Sequence, residues 1–185
     1  MDIKRILNIP KERILVYDTE TTGFHAGLDE ILQFSACDGT GRVLMNTYIR
    51  PKRKRSWPEA AAVNGITPDM VMGSPTIDQV RDRIQILFDQ ASLLVAYNCP
   101  FDDGFLSAAG IRLGEESQSF DVMKAFAEVY GEWNDSFGEY KWQKLTTAAA
   151  YYDYDWKDCR AHDSLGDVFA TLHVFTCLCN GRTES

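Results

Sequence analysis

The sequence has no apolar run that approaches the roughly 20 residues needed for a transmembrane helix. Its first residues, Met1 to Arg5, lead into only a short apolar stretch, which does not indicate a signal peptide. We therefore expect a cytoplasmic protein that has no membrane partner.

The sequence also lacks a paired-cysteine motif. Its five cysteines are scattered along the chain and form no Cys-x-x-Cys pattern; they are Cys37, Cys99, Cys159, Cys177 and Cys179. A disulfide framework or a zinc knuckle is therefore not expected. The pattern predicts small hydrophobic side chains that are mostly buried.

Positive charge is in deficit, because 19 basic residues face 27 acidic ones and the net charge is −8. This excludes a protein that coats nucleic acid by charge alone. It does not exclude an enzyme that meets phosphates through bound cations, which reverse the local sign of an acidic site. The length, 185 residues without a repeat, a low-complexity tract or a linker, predicts a single domain over residues 1–185.

Apolar runs predict strands at residues 14–17, 31–36, 43–49 and 93–97, with a turn at residues 38–41 that joins the second and third strands into a hairpin. Helices are expected from Ser56, as the cap, to Gly65 and from Thr76 onwards, and another opens at Pro100. Further helices are predicted at residues 123–130, 145–151 and 164–179. Residues 131–143 are interpreted as an irregular loop. Strands alternating with helices indicate an α/β sheet covered by helices.

Two acids follow the first predicted strand, in the segment Asp18-Thr19-Glu20-Thr21-Thr22-Gly23. Residues two apart on a strand share a face, so the carboxylates of Asp18 and Glu20 should lie together. They repel each other unless a cation lies between them, and Mg²⁺ prefers such oxygen ligands. The alternative is two solvated acids. Gly23 permits a close approach of a substrate backbone, or it is a plain turn glycine.

A third acid, Asp102, lies in the first turn of the helix that follows residues 93–97, at the type of strand end where α/β sheets bind ligands. It could equally stabilise the helix dipole, and Asp103 is its neighbour. A fourth acid, Asp167, lies about one turn inside the last helix, for which Asp163 is the expected cap.

His162 precedes this last helix and is a candidate general base, because histidine titrates near neutral pH. The alternative is a capped helix with a surface histidine.

These fragments together resemble the DnaQ-like, or DEDDh, 3′→5′ exonucleases of the RNase H-like superfamily, including polymerase III epsilon-type proofreading domains. The family's Asp-x-Glu-x-Thr-Gly is similar to Asp18–Gly23, its Asn and Asp four apart to Asn98 and Asp102, and its His and Asp five apart to His162 and Asp167. Asn64-Gly65-Ile66-Thr67 resembles a recurrent family segment. The resemblance covers residues 14–175. Many relatives carry His where this chain has Tyr97 and Asn64.

The resemblance implies an RNase H-like α/β fold, a mixed five-stranded sheet flanked by helices. It implies two Mg²⁺ or Mn²⁺ ions held by Asp18, Glu20, Asp102 and Asp167, with Asp102 acting through water and His162 as the general base. The implied substrate-binding residues are Thr21, Thr22, Gly23, Phe24, Asn98 and Phe101. Its implied substrates are single-stranded or frayed 3′ ends of DNA or RNA, cleaved to nucleoside 5′-monophosphates, and a DNA polymerase subunit is a possible partner.

Two other functions compete with this interpretation. Asp18 could be the nucleophile of a metal-dependent phosphatase, although Glu20 fits that class poorly. A non-catalytic nucleic-acid- or partner-binding module could have the same fold, although all the acids are present. Two further features stay open at this point: the basic run at residues 50–55 could guide a substrate or be a solvated loop, and Phe24 could stack on a base or be buried.

Overall fold

The computed structural model describes residues 6–114, 117–156 and 161–181. Cys159, whose burial was predicted, lies outside these ranges. Within them, the protein forms a mixed five-stranded sheet with helices on both faces, which confirms the predicted α/β class. In the described part of the chain, no helix is long and apolar enough to cross a membrane.

The sheet has the strand order β3-β2-β1-β4-β5, so β1 is central. Neighbouring strands are antiparallel from β3 to β1 and parallel from β1 to β5. A separate two-stranded hairpin is formed by β6 and β7. The strands are β1 (Ile14–Thr21), β2 (Ile31–Asp38), β3 (Val43–Tyr48), β4 (Leu93–Ala96), β5 (Gln118–Asp121), β6 (Trp133–Asn134) and β7 (Glu139–Tyr140).

Seven α-helices are described, besides a short 3₁₀ helix at Lys11–Arg13, and the four longest cover the sheet. They are α1 (Pro58–Asn64), α2 (Pro68–Val71), α3 (Ile77–Gln90), α4 (Cys99–Ala108), α5 (Val122–Tyr130), α6 (Leu145–Tyr151) and α7 (Ser164–Cys179). Thr76 and Gln79 form a capping box at the start of α3, and Gly65 ends α1 in the left-handed region, as predicted.

Alternation along β1 divides the core between the two faces of the sheet. Leu15 and Tyr17 pack with α3 and α4, whereas Ile14 and Val16 pack with α5 and α7. Residues 18 and 20 continue the second series, so their side chains point to the side of the sheet that α7 covers. This alternation decides where the acids of β1 meet their partners.

Four sequence-based expectations need correction. Asp18 and Glu20 lie within β1, which continues to Thr21, and do not follow it. Ser56 does not cap α1, because Trp57 occupies the N-cap position. Trp57 is buried, and its indole N–H donates to the carbonyl of Ile66 at 2.7 Å. Residues 131–143 include the β6–β7 hairpin and are not wholly irregular. Asp163 occupies the predicted N-cap position of α7, but its side chain makes no capping hydrogen bond and instead accepts from Gln33 Nε2 at 3.2 Å.

Candidate active site

Three carboxylates from β1 and α7 converge on one point. Asp18, Glu20 and Asp167 each offer an oxygen, and these three atoms lie within 4.8 Å of one another. The period of β1 places the first two acids on one face. Asp167 reaches the same point because α7 packs across β1, with Ser164 Oγ donating to the carbonyl of Asp18 at 2.9 Å. The predicted meeting of these three acids is present in the fold.

Burial disfavours the ionised form of each of these three carboxylates. Burial and the nearby Asp102 raise the pKa of Asp18 well above its usual value. Burial and the nearby Asp167 raise the pKa of Glu20 to about 8, and burial raises the pKa of Asp167 to about 7. In the absence of a cation, the cluster therefore holds protons near neutral pH.

One atom of the cluster has no protein partner. Asp18 Oδ2 is buried and receives no hydrogen bond within the described residues. A buried carboxylate oxygen without a donor is costly, and a bound cation would satisfy it. Converging carboxylate oxygens and this buried oxygen without a donor both fit a divalent cation.

Asp102 approaches from the opposite face of the sheet. It lies in the first turn of α4 and is 2% exposed. Its Oδ1 accepts from the backbone N–H of Thr19 at 2.9 Å and from the Thr19 hydroxyl at 2.7 Å. Burial raises the pKa of Asp102 to about 7 although both of these bonds oppose the shift. These two bonds fix Asp102 to Thr19, which lies between Asp18 and Glu20 on β1, so Asp102 lies beside the three-oxygen group and not within it.

Three neutral side chains support the acids and were not predicted to do so. Thr19 orients Asp102 through its hydroxyl group. A hydrogen bond from Ser164 lowers the pKa of Asp18, and a hydrogen bond from Asn64 lowers the pKa of Glu20. Asn64 is buried at the end of α1 and also donates to the carbonyl of Thr21 at 3.3 Å. The sequence signal for Asn64 was its place in the Asn-Gly-Ile-Thr segment, where many relatives carry His.

His162 lies next to the cluster with an exposed side chain. Its backbone has φ +66°, in the left-handed region, and its N–H points to both oxygens of Asp167 at 3.2 and 3.3 Å. The backbone of His162 therefore orients Asp167, while the imidazole is accessible to a substrate. The sequence did not foresee this backbone contact.

The loop between β1 and β2 is held by its own side chains. The Thr21 hydroxyl donates to the carbonyl of Gly23 at 2.6 Å, and the Thr22 hydroxyl donates to Asp29 at 3.3 Å. A Cβ on Gly23 would lie 2.5 Å from Asp29 Oδ2, so the space beside this glycine is filled by the Asp29 carboxylate. That use of Gly23 differs from the substrate gap considered from the sequence.

The remaining predicted substrate-binding residues are Phe24, Asn98 and Phe101. Phe24 is 79% exposed, so the alternative that it is buried is wrong. Asn98 caps α4 at φ +70°, a conformation that Asn tolerates better than most residues. Phe101 is half-buried, with its ring 5.1 Å from that of Phe105. Contact of these residues with a substrate stays a prediction.

Comparison with known proteins gives a consistent result. Residues 15–175 match the RNase_T family, described as an exonuclease. An uncharacterized exonuclease, CP81 of Escherichia phage 186, is 32% identical over 180 residues, 92% of this chain and 89% of the phage protein. The DNA polymerase III subunit epsilon of Escherichia coli is 26% identical over 181 residues, 93% of this chain and 73% of that subunit.

Solved structures share the fold. The zinc-bound complex of E. coli ExoI with single-stranded DNA superimposes with a TM-score of 0.70 at 20% identity, over 91% of this chain. The chain spans 40% of the ExoI chain, and only 24% of the DNA polymerase III subunit epsilon-like protein of Rhodobacter capsulatus, to which it is 32% identical. The structural likeness therefore establishes an RNase H-like exonuclease fold and leaves the rest of those larger proteins outside the comparison.

Proposed function

Because this chain belongs to the RNase_T family of exonucleases, we propose that it hydrolyses phosphodiester bonds at the 3′ end of DNA or RNA and releases nucleoside 5′-monophosphates. The observation that carries the proposal is the convergence of Asp18, Glu20 and Asp167 within 4.8 Å of one another. The 3′→5′ direction agrees with the epsilon subunit and ExoI as relatives.

The cofactor we propose is two Mg²⁺ or Mn²⁺ ions per site. Asp18, Glu20 and Asp167 would hold them directly, and Asp102 would contribute through water because its Oδ1 is already engaged by Thr19. The chemistry that such a pair supplies is activation of the attacking water and stabilisation of the leaving oxygen. The solved ExoI complex with single-stranded DNA is a zinc-bound form, which supports a metal-dependent reaction.

The protein's own groups would then have three tasks. The carboxylates stay ionised once their charge is compensated by cations, because the repulsion and burial that raise their pKa are offset. The imidazole of His162, exposed beside Asp167, would accept a proton from water. Phe24 and Phe101 would contact the terminal base, and Asn98 the sugar-phosphate.

The proposed substrate and partner are based on the relatives and not on contacts in this structure. Single-stranded DNA in the ExoI complex and the epsilon subunit among the relatives favour single-stranded or frayed 3′ ends and support association with a DNA polymerase subunit. Location in the cytoplasm is part of the same proposal.

The experiment is a substrate panel. End-labelled single-stranded DNA, duplex DNA and RNA are incubated with the protein, with Mg²⁺, with Mn²⁺ and with EDTA, and the products are identified. Mononucleotides should appear only with metal, and the wild-type rate should fall by about 10³-fold or more in Asp18→Asn, since one ligand of the shared site is lost. A purified protein that binds these strands without cleaving any of them would instead be the non-catalytic module.

A further inference from the structure

A cavity of about 500 Å³ lies on the α3 and α4 side of the sheet, away from the acid cluster. Its walls come from the β1–β2 loop, the segment after β3, the first turns of α3 and the last turn of α4. None of Asp18, Glu20, Asp102 and Asp167 lines it. Its volume falls in the range of about 300–1,000 Å³ that small-ligand sites occupy.

The floor of the cavity is apolar. It is formed by Ile31, Ile49 and Phe105, which are at most 4% exposed, together with Pro51 and Ile77. A flat ring placed against these side chains would bury its own apolar face. The floor is therefore suited to the ring of an organic ligand and not to a bare ion.

The rim is cationic. Arg50, Lys52, Arg53 and Arg81 line it beside the acids Asp29, Glu30 and Asp78, so cations outnumber acids by four to three. On a chain whose net charge is −8, this is a local reversal of sign. Such a reversal at a cavity mouth attracts anions.

The rim cations are available to a ligand. Lys52 and Arg81 contact Asp78 at 2.6 and 3.7 Å, but these side chains are 41–51% exposed, and ion pairs of that kind contribute only about 0–1 kcal/mol. The guanidinium of Arg50 has no ion-pair or hydrogen-bond partner among the described residues. An incoming anion could therefore recruit these groups at little cost.

The acids of the wall are already compensated. Glu30 accepts backbone N–H groups of Lys52, Arg53 and Lys54 at 2.7–2.9 Å. Asp29 pairs with Lys54 at 3.0 Å and accepts the N–H of His25 at 3.0 Å. Backbone N–H groups and Lys54 thus partly neutralise the negative charge of Asp29 and Glu30. Both acids therefore repel a ligand anion less strongly.

We propose that this cavity binds a nucleotide, with the base on the apolar floor and the phosphate against the cationic rim. Two sources share this chemistry: a free nucleoside monophosphate, or an internal nucleotide of a strand held at the acid cluster, and the second source rests on the proposed function. The site shares a wall with the β1–β2 loop that carries Gly23 and Phe24, so occupancy there is next to the proposed terminal-nucleotide contacts.

The test uses metal-free protein in EDTA, in which the acid cluster holds no cation that could bind a phosphate and the cavity is the expected site. Isothermal titration compares dAMP, deoxyadenosine and inorganic phosphate. We expect dAMP to bind at least about tenfold more tightly than either half, because base and phosphate contacts add. Equal binding of phosphate and dAMP, or no binding of dAMP, would overturn the proposal.

Two matched pairs of variants locate the binding. Arg50→Ala should weaken dAMP about tenfold, as expected for loss of a charge-assisted contact, whereas Arg83→Ala, on α3 outside the cavity, should not. Ala108→Trp fills the cavity from an exposed helix position, and Ser107→Trp is its exposed neighbour that does not line it. Melting temperatures check that each variant folds. Equal effects within either pair would contradict the assigned location.

Two substrates of different length separate the sources. If the ligand is an internal nucleotide, Arg50→Ala should raise KM for a hexanucleotide and leave a dinucleotide unchanged. If it is a free monophosphate, both substrates should be cleaved alike and dAMP should inhibit the wild type more than the variant. Nucleotide binding in EDTA by a protein that cleaves no strand would retain the cavity site and reject the proposed function.

Discussion

Asp102 and Asp103 are adjacent in sequence, and the fold gives them different surroundings. Asp102 points to β1, where Thr19 fixes one oxygen beside the acid cluster. Asp103 accepts the hydroxyl hydrogen bond of Tyr17 and is only half-buried. At the scale of single residues, only one of these two neighbouring carboxylates is hydrogen-bonded to β1 beside the acid cluster.

This difference predicts opposite outcomes for two isosteric substitutions. Asp102→Asn should lower kcat by roughly 10²-fold or more, because it removes a charge that helps hold the cations. Asp103→Asn should retain most activity, since its amide oxygen can still accept from Tyr17. Steady-state kinetics with saturating Mg²⁺ measures both, and equal losses would assign the two acids a common structural role.

His162 allows its imidazole to be separated from its backbone. Asn tolerates the left-handed conformation found at this position, so His162→Asn should keep the N–H bonds to Asp167 and remove the general base. We expect kcat to fall by about 10²–10⁴-fold while Mg²⁺ affinity stays within a few-fold of the wild type. A large loss of metal affinity in this variant would make His162 a ligand.

The raised pKa values of the acids predict an unusual pH dependence of stability without metal. Glu20, Asp102 and Asp167 have a folded pKa of about 8, 7 and 7 against unfolded values near 4. The folded state therefore binds more protons, and their contribution to stability is full below pH 4 and is lost as pH rises to about 8.

Melting curves in EDTA measure this dependence. The melting temperature should fall between about pH 6 and pH 8, Mg²⁺ should restore it most at pH 8, and Asp18→Asn should reduce the fall because it removes one repelling charge. A melting temperature that rises over this interval in EDTA would contradict the assigned pKa directions.

At the scale of elements, the β1–β2 loop is tied to the basic segment after β3. Lys54 pairs with Asp29, which lies under Gly23, and Glu30 accepts three N–H groups of residues 52–54. Lys54 in the basic run therefore anchors the loop that carries Phe24, whereas Lys52, Arg53 and Arg55 are exposed. This anchoring restrains the loop from which the exposed ring of Phe24 projects.

The loop gives a steric prediction. In Gly23→Ala the new Cβ would meet the Asp29 carboxylate at 2.5 Å, so the loop must move. KM should rise and activity should fall, by up to about 10²-fold for a displacement near 1 Å, while Mg²⁺ binding is preserved. Gly73→Ala, which has nothing within 4 Å of its Cβ, is the control.

Elements differed in how well their sequence predicted them. α6 and α7 were predicted with their observed bounds, because periodic apolar residues and clear ends mark them. β5 was not identified from its own residues, since Gln118–Asp121 is short and largely polar and is a strand only through pairing with β4. Ser56 was a plausible cap by composition, but burial of Trp57 decides where α1 begins.

At the scale of the whole molecule, the acids come from β1, α4 and α7 and meet only in the folded chain. Strand spacing predicted that Asp18 and Glu20 share a face, and the family resemblance added Asp167 to them. Spacing could not locate the support from Asn64 or the cavity near Arg50, because these depend on packing between elements far apart in sequence. The sequence therefore did not predict which side chains contact one another around the acids and the cavity.

The most direct measurement of the central claim compares three single-stranded DNA substrates with wild-type protein and Mg²⁺: a linear strand with a 3′ hydroxyl, the same strand with a 3′ phosphate, and a closed circle. We predict rapid release of mononucleotides from the first, slow release from the second and none from the circle, with Asp18→Asn inactive on all three. A two-metal site alone does not impose this selectivity, since endonucleases use the same chemistry. Rapid nicking of the circle by pure wild-type protein, absent in Asp18→Asn, would contradict the exonuclease function while retaining the metal site.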